Sequence, residues 1–366
     1  MKVIMTGGGT GGHIYPAIAI ADEIKDKHPD AEIMFVGTER GLEKTLVPQH
    51  GYPIRFITVT GFNRKKLLKN LKVFKDLNKG IKEAKAIVKE FQPDIVIGTG
   101  GYVCGPVVKS ASNLGIRTFI HEQNAAPGLT NKILEKYVEK IFIGFGEARV
   151  NFKKHDKIVL SGNPVRKNFF HVDKKACRSK LGIDDNDFVV LSFGGSQGAV
   201  KINEVMTEVV VTLSGIDKLS IFFVTGNSHY EKIVNGLKQK NSNLSRNMRV
   251  LPYVNDMEQY LTACDLVISR SGALTVSEII VCGKPSILIP SPNVTGNHQF
   301  FNAKALVDRG GAMMIEEKDL DPENLIRTIL KMKNDSNALM KMAAASKNAM
   351  RSNAAEIIYN NLGINQ

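Results

Sequence analysis

Residues 7–13 read Gly-Gly-Gly-Thr-Gly-Gly-His, after the apolar run Lys2–Met5 and before the helical pattern Pro16–Lys25. A glycine loop between a strand and a helix leaves backbone N–H groups bare, and the helix start adds a partial positive charge. Such a unit suits a phosphate or sugar phosphate, and His13 adds the one side chain that titrates near neutrality. A second reading stays open. Gly7, Gly9 and Gly12 also satisfy the dinucleotide pattern G-x-G-x-x-G, with Glu39 at the end of the next strand.

Further clusters carry chemistry. Gly194-Gly195-Ser196-Gln197-Gly198 follows another apolar strand; it either holds a diphosphate or makes a tight strand–helix turn. Ser269–Glu278 (SRSGALTVSE) runs from a strand into a helix. There Thr275 and Glu278 fit a capping box, while Glu278 equally suits the two hydroxyls of a ribose. Thr295-Gly296-Asn297-His298-Gln299, with Asn302, offers both donors and acceptors, as sugar hydroxyls require or as a polar helix cap supplies. Gly98–Tyr102 and His121–Asn124 each follow a parallel-strand pattern, and ligands of open α/β sheets bind beyond such strand ends. Asp185-Asn186-Asp187 precedes its strand and reads as a solvated turn. With no other metal-ligand spacing, chemistry without a protein-bound metal is expected.

These loops need elements to position them. Val/Ile-rich strands at 2–5, 32–36, 55–59, 95–98, 117–121, 140–143 and 157–160 alternate with amphipathic helices, the rhythm of a parallel sheet. The turn cluster Ser161-Gly162-Asn163-Pro164 interrupts it, and strands at 188–193, 220–225, 248–251, 266–269 and 286–289 begin it again. With 366 residues, two Rossmann-like domains are expected, and residues 339–362 read as a final helix returning to the first.

The four cysteines are scattered without a C-x-x-C pair, which speaks against a zinc site or disulfide framework and for a reducing compartment. Apolar runs fall short of the ~18–20 residues of a membrane span, and no secretory signal is visible, so a soluble or peripheral cytoplasmic protein is expected. The net charge of +13 is concentrated in the first half, where residues 1–165 hold 25 Lys and Arg against 16 Asp and Glu. Between Arg64 and Glu90 ten basic residues face three acidic ones. This stretch is either a core-facing helix with a solvated lysine face or an interfacial element. In the second case Phe62, Leu67, Leu68 and Leu71 dip into an anionic bilayer beside Arg64, Lys65 and Lys66. Aromatic interleaving is sparse, so no nucleic acid is expected.

Seven ordered motifs then add a family resemblance: GGGTGGHIYP (7–16), GTGGYVCGP (98–106), HEQNAAPGLTNK (121–132), GNPVR (162–166), GGSQGA (194–199), SRSGALTVSE (269–278) and NHQFFNA (297–303). Together they closely resemble the MurG family of UDP-N-acetylglucosamine–lipid I N-acetylglucosaminyltransferases. The resemblance implies an α/β GT-B fold, two Rossmann-like domains with parallel sheets facing a cleft. Residues 1–163 would take the acceptor and the membrane, residues 164–339 UDP-N-acetylglucosamine, and a helix over 340–366 would pack back on the first domain. It implies inverting transfer of N-acetylglucosamine to the 4-hydroxyl of the muramoyl sugar of lipid I, giving lipid II and UDP without a cofactor, on the cytoplasmic face of the membrane.

Carried over by motif, Arg166, Ser196, Gln197, Val254 (by backbone, against uracil), Ala273, Leu274, Thr275, Val276, Ser277 and Glu278 would hold the donor. His298 and Gln299 would meet its sugar hydroxyls. Thr10, Gly11, Gly12 and Asn124 would face both substrates, with Tyr102 and His121 on the acceptor. His13 is the first choice of general base and Glu122 its competitor. Position 298 departs from relatives that carry Gln there. Rival readings are a UDP-sugar epimerase or another lipid glycosyltransferase, an NAD-dependent oxidoreductase, and a non-catalytic binder driven by the basic segment.

Overall fold

A computed structural model describes residues 1–61, 70–170, 172–195, 198–239, 244–350 and 353–364. The chain divides into two compact units, Met1–Arg166 with Arg351–Gln366, and Lys167–Met350.

The first unit holds a parallel sheet of β1 (Lys2–Thr6), β2 (Glu32–Gly37), β3 (Ile54–Phe56), β4 (Ile95–Gly98), β5 (Arg117–Glu122), β6 (Lys140–Ile143) and β7 (Ile158–Leu160). The strand order is β3-β2-β1-β4-β5-β6-β7. Helices α1 (Gly11–Lys27), α2 (Glu43–Gln49), α3 (Asn70–Phe91), α4 (Cys104–Asn113) and α5 (Leu129–Leu134) connect the strands. Alternation along β1 sends Val3 and Met5 into a core with Ile14, Phe35, Ile97 and Phe119, and Ile4 into a second core with Val96, Val108, Ile120 and Ile141. Both faces are therefore covered, which is why the strands read as continuous apolar runs. Each fully buried Ile or Phe contributes about 1.5–3 kcal/mol.

The second unit repeats the plan with β8 (Phe188–Phe193), β9 (Leu219–Val224), β10 (Met248–Leu251), β11 (Leu266–Ser269), β12 (Ser286–Leu288) and β13 (Ala312–Met314). Their order is β10-β9-β8-β11-β12-β13, again all parallel. Its helices are α6 (Lys174–Leu181), α7 (Val200–Thr212), α8 (Asn227–Gln239), α9 (Met257–Ala263), α10 (Ala273–Val281), α11 (His298–Val307), α12 (Pro322–Asn334) and α13 (Ser336–Asn348).

Both sheets reverse strand order at one place, between β1 and β4 and between β8 and β11. In open α/β sheets the ligand crevice lies there, beyond the strands' carboxyl ends.

Several elements differ from the sequence reading. Helix α1 begins at Gly11, five residues before Pro16, so His13 lies in its first turn. Helix α2 and the three-residue strand β13 are additional. The expected final helix is divided. Leu339 and Met342 of α13 pack against the core of the second unit, and a separate helix α14 (Ala354–Asn360) returns to the first. There Ile358 and Tyr359 join the core beneath α1, and the Tyr359 hydroxyl meets His28 Nε2 at 2.7 Å.

Candidate functional site

In the first unit, register decides which loops are neighbours. Thr6 of β1 pairs with Gly98 of β4, and Gly98 with Ile120 of β5. Loops 7–10, 99–103 and 123–128 therefore emerge side by side. The first two are pressed together: Gly8 N–H donates to Gly100 O at 3.3 Å. Gly100 has φ +110°, and a Cβ built there would stand 2.6 Å from His13 Nδ1. Only glycine meets both demands.

Two buried side chains set these loops from below. Glu43 of α2 accepts from Gly9 N–H and Thr38 N–H, each at 2.9 Å, and from the Thr38 hydroxyl at 2.7 Å. Glu39, the acid that the dinucleotide pattern requires, lies exposed in the turn after β2. Cys104 Sγ accepts from Gly100 N–H at 3.1 Å and lies 3.0 Å from the carbonyls of Thr6 and Gly100. Burial pushes its thiol up to about 12, so it stays a neutral S–H.

His13 sits half-buried above this floor, and its chemistry follows from its partners. Nδ1 lies 3.1 Å from Thr99 O and 3.2 Å from Gln123 Oε1. Both partners are acceptors. The orientation of the Gln123 amide is set separately, because its Nε2 is 2.7 Å from Thr99 O, where only a donor fits. Nδ1 therefore carries the hydrogen, and in the neutral ring Nε2 keeps the lone pair. Thr99 closes the arrangement by donating its hydroxyl to His13 O at 2.7 Å.

His121 and Glu122 are employed differently. His121 is wholly buried; its Nε2–H donates to Gly162 O at 3.0 Å, and its Nδ1 accepts from Gln123 Nε2–H at 2.9 Å. Burial brings its pKa down to about 4, against a smaller opposing effect of the Gly162 carbonyl, so the ring stays neutral. Both Glu122 oxygens are taken by its own loop. Oε1 accepts from Asn124 N–H and Nδ2–H at 2.9 and 3.1 Å, and Oε2 from Gly128 N–H and Asn131 Nδ2–H at 2.9 and 2.8 Å. The GNPVR motif has a structural part here too, since Asn163 Nδ2–H donates to Gln123 O at 3.0 Å. Arg166 lies over the ring of Tyr15, 5.7 Å from its centroid. Tyr102 is exposed and covers Gly61.

In the second unit the loops after β8, β11 and β12 are neighbours by the same logic. Gly198 N–H donates to Gly195 O at 2.9 Å, and the chain enters α7 at Val200. Helix α10 starts at Ala273, so Thr275 is its third residue and Glu278 its sixth. This excludes the capping box: Thr275 is not the cap residue, and Glu278 is one turn too far along to reach back. Gln299 and Asn302 bind the start of α11 to the preceding loops. Gln299 Oε1 accepts from Ser291 N–H at 2.9 Å, its carbonyl accepts from the Ser271 hydroxyl at 2.8 Å, and Asn302 Nδ2–H donates to Ser271 O at 3.2 Å. His298 donates Nδ1–H to Thr295 O at 2.9 Å, which leaves its Nε2 outward. Val254 is buried before α9. A concavity of about 590 Å³ beyond β12 and β13 is lined by Lys201, Pro290, Asn297, Phe300 and Glu317 among others.

Capping separates two kinds of helix. Asp173, Asp321, Asp335 and Asn353 cap α6, α12, α13 and α14 with side-chain oxygens. Helices α1, α7 and α10, like α4, α5 and α11, have no side-chain cap and no acid in their first turn. At α7 and α10 the first N–H groups stay available to an anion, whereas in α1 His13 N–H is already bonded to Thr10 O.

Ser196, Gln197, Phe62, Arg64, Lys65, Lys66, Leu67 and Leu68 lie outside the described residues, as does the side chain of Leu71. The residue that sequence reasoning missed is Gln123. Its signal was its place inside His121–Asn124, between residues that were singled out.

Residues 3–143 match the glycosyltransferase family 28 N-terminal domain, and residues 189–358 the glycosyltransferase family 28 C-terminal domain. A relative from Acetivibrio thermocellus is 46% identical over 98% of this chain and 96% of its own length. Its name is UDP-N-acetylglucosamine--N-acetylmuramyl-(pentapeptide) pyrophosphoryl-undecaprenol N-acetylglucosamine transferase. A relative of the same name from Clostridioides difficile is 45% identical, with 99% and 88% covered. Among solved structures, Acinetobacter baumannii MurG is 28% identical, with a TM-score of 0.77 and 98% of both chains covered. A UDP-GlcNAc 2-epimerase from Neisseria meningitidis bound to UDP-GlcNAc shares the fold at 15% identity, with a TM-score of 0.71 over the whole of both chains.

Proposed function

The chain belongs to glycosyltransferase family 28, and from that premise we propose how it moves N-acetylglucosamine from UDP-N-acetylglucosamine to the 4-hydroxyl of the muramoyl sugar of lipid I. The products are lipid II and UDP, and the enzyme is a hexosyltransferase of peptidoglycan synthesis.

The observation that carries the mechanism is His13 Nδ1 set against two acceptors, Thr99 O and Gln123 Oε1, which in the neutral ring leaves the lone pair on Nε2. Inversion needs in-line attack by the acceptor oxygen, a base for its proton and support for the departing diphosphate. His13 is the base, a role worth about 10²–10⁴-fold in rate. Glu122, with both oxygens occupied by its own loop, is instead the residue that shapes the turn presenting Asn124. His121 supports from beneath, and Tyr102 and Thr10 face the acceptor.

The second unit takes the donor. Uncapped N–H groups at the starts of α7 and α10, with the loop through Ser196 and Gln197, receive the diphosphate. Glu278 takes the ribose hydroxyls, a role favoured now that the capping box is excluded. Val254 lies by its backbone against uracil. Ala273, Leu274, Thr275, Val276 and Ser277 form the first turn and a half of α10 around it. Gln299, with Nε2–H still to donate, and His298 meet the sugar, and Arg166 joins the donor side. Gly11 and Gly12 bring the backbone close to the reacting sugar.

The acceptor carries a lipid chain, so the protein works at the cytoplasmic membrane face. The basic stretch from Arg64 to Glu90 supplies the attraction, each lysine near an anionic leaflet being worth about 1 kcal/mol.

Incubation with UDP-N-acetylglucosamine and a lipid I analogue tests the reaction by UDP release. Release only with diacylglycerol as acceptor, or 2-epimerisation of the donor without any acceptor, would overturn it.

A further inference from the structure

Among the described residues, Gln123 is the side chain that hydrogen-bonds both His13 and His121. It is 1% exposed and has three polar neighbours in fixed roles. Its Nε2 donates to Thr99 O at 2.7 Å and to His121 Nδ1 at 2.9 Å, and its Oε1 accepts from His13 Nδ1–H at 3.2 Å. His121 is itself fixed by donating Nε2–H to Gly162 O. Donor and acceptor roles thus run without conflict from the Gly162 carbonyl to His13. Flipping the amide would set oxygen against oxygen at Thr99, and the alternative tautomer of His13 would set two lone pairs against Nδ1.

We propose that Gln123 is a positioning residue for the glycosyl transfer. It holds His13 in the tautomer that carries hydrogen on Nδ1 and aims Nε2 at the acceptor hydroxyl, and it ties that geometry to the buried His121. This rests on His13 being the base. As Nε2 takes the acceptor proton the ring becomes cationic, and the Nδ1–H bonds to Gln123 and Thr99 O strengthen, because charged donors bond more strongly. Gln123 therefore stabilises the transition state more than the ground state without touching substrate.

The test uses full-length protein with ¹⁵N-labelled histidine, in which two-bond ¹H–¹⁵N correlations distinguish the tautomers. The His13 signals are assigned by their loss in His13→Ala. The expected pattern is Nδ1–H in the unsubstituted protein. Gln123→Leu should lower kcat by about 10–100-fold, less than outright loss of a base or tautomer because Thr99 O remains, with the KM for UDP-N-acetylglucosamine little changed. Gln123→Glu keeps an acceptor for Nδ1–H and should recover most of the rate. An Nε2–H pattern in the unsubstituted protein overturns the inference, and this reading needs no variant to fold. So does a Gln123→Leu protein with undiminished kcat, or a loss equal in Leu and Glu variants. If His13→Ala itself keeps its turnover, the base assignment fails instead, and the tautomer pattern still reports whether Gln123 holds the ring.

Discussion

The two units share a plan and differ in what they place on it. Each has a parallel sheet with one reversal of strand order, and each carries its motifs on the three strands at that reversal, β1, β4 and β5 in one, β8, β11 and β12 in the other. In the first unit the loops are bound to one another from below by Glu43, Cys104, Gln123 and His121, and they deliver one titratable ring with a defined tautomer. In the second they deliver uncapped helix starts and amides anchored by backbone bonds. A proton must be moved at a fixed atom, which demands a rigid, networked setting. A nucleoside diphosphate is held by N–H groups and helix dipoles, which any well-formed strand–helix turn provides. The difference teaches which of the two tasks needs a fixed side-chain geometry.

Substitutions can break this contrast, beginning with the largest effect. His13→Ala should reduce kcat by about 10²–10⁴-fold with UDP binding intact, measured by UDP release and by titration of UDP. Next comes Gly100→Ala. Its Cβ would press on His13 Nδ1 at 2.6 Å and its backbone would be held at φ +110°. Strain of about 1–3 kcal/mol should lower the melting temperature, and displacement of the ring should lower kcat with the donor KM unmoved. An unchanged kcat would show that the close approach does not matter to the chemistry.

Glu278→Ala reports on the other unit. Loss of a charged hydrogen-bonding partner, worth about 1.5–3 kcal/mol, should raise the KM for UDP-N-acetylglucosamine by roughly 10–100-fold and leave kcat at saturation nearly unchanged. The smallest effect on turnover is at the buried floor. His121 binds a proton near pH 6.5 when unfolded but only at about pH 4 when folded, so the unfolded state takes up the proton first. The His121 contribution to stability should be constant above about pH 6.5 and fall by up to ~3 kcal/mol as the pH drops toward 4. Urea unfolding of the parent and of His121→Asn should converge in this window, and parallel curves would contradict it.

Much of this was legible in the sequence, and the reasons are local. Strand positions followed from Val/Ile runs such as Ile95–Gly98, and the neighbouring loops from the parallel rhythm. What stayed hidden depends on contacts far apart in the chain. Nothing near Glu122 shows that Gly128 and Asn131 turn back to occupy it. Excluding a capping box at Glu278 needed the true start of α10, two residues before the Thr that imitates a cap. The start of α1 was misplaced because Pro16 looks like a first-turn proline, whereas the glycines before it already adopt the helix. Gln123 was unmarked because an amide between His121 and Asn124 acquires meaning only when His13, 110 residues earlier, is placed against it.

The central claim is that proton chemistry belongs to the first unit and donor affinity to the second. The most direct measurement titrates UDP-N-acetylglucosamine into the His13→Ala and Glu278→Ala proteins and follows single-turnover transfer to a lipid I analogue at saturating donor in each. The account predicts a crossed result: near-parent donor affinity with a collapsed rate in His13→Ala, and weakened affinity with a near-parent rate in Glu278→Ala. Equal losses of affinity and rate in both proteins would contradict it.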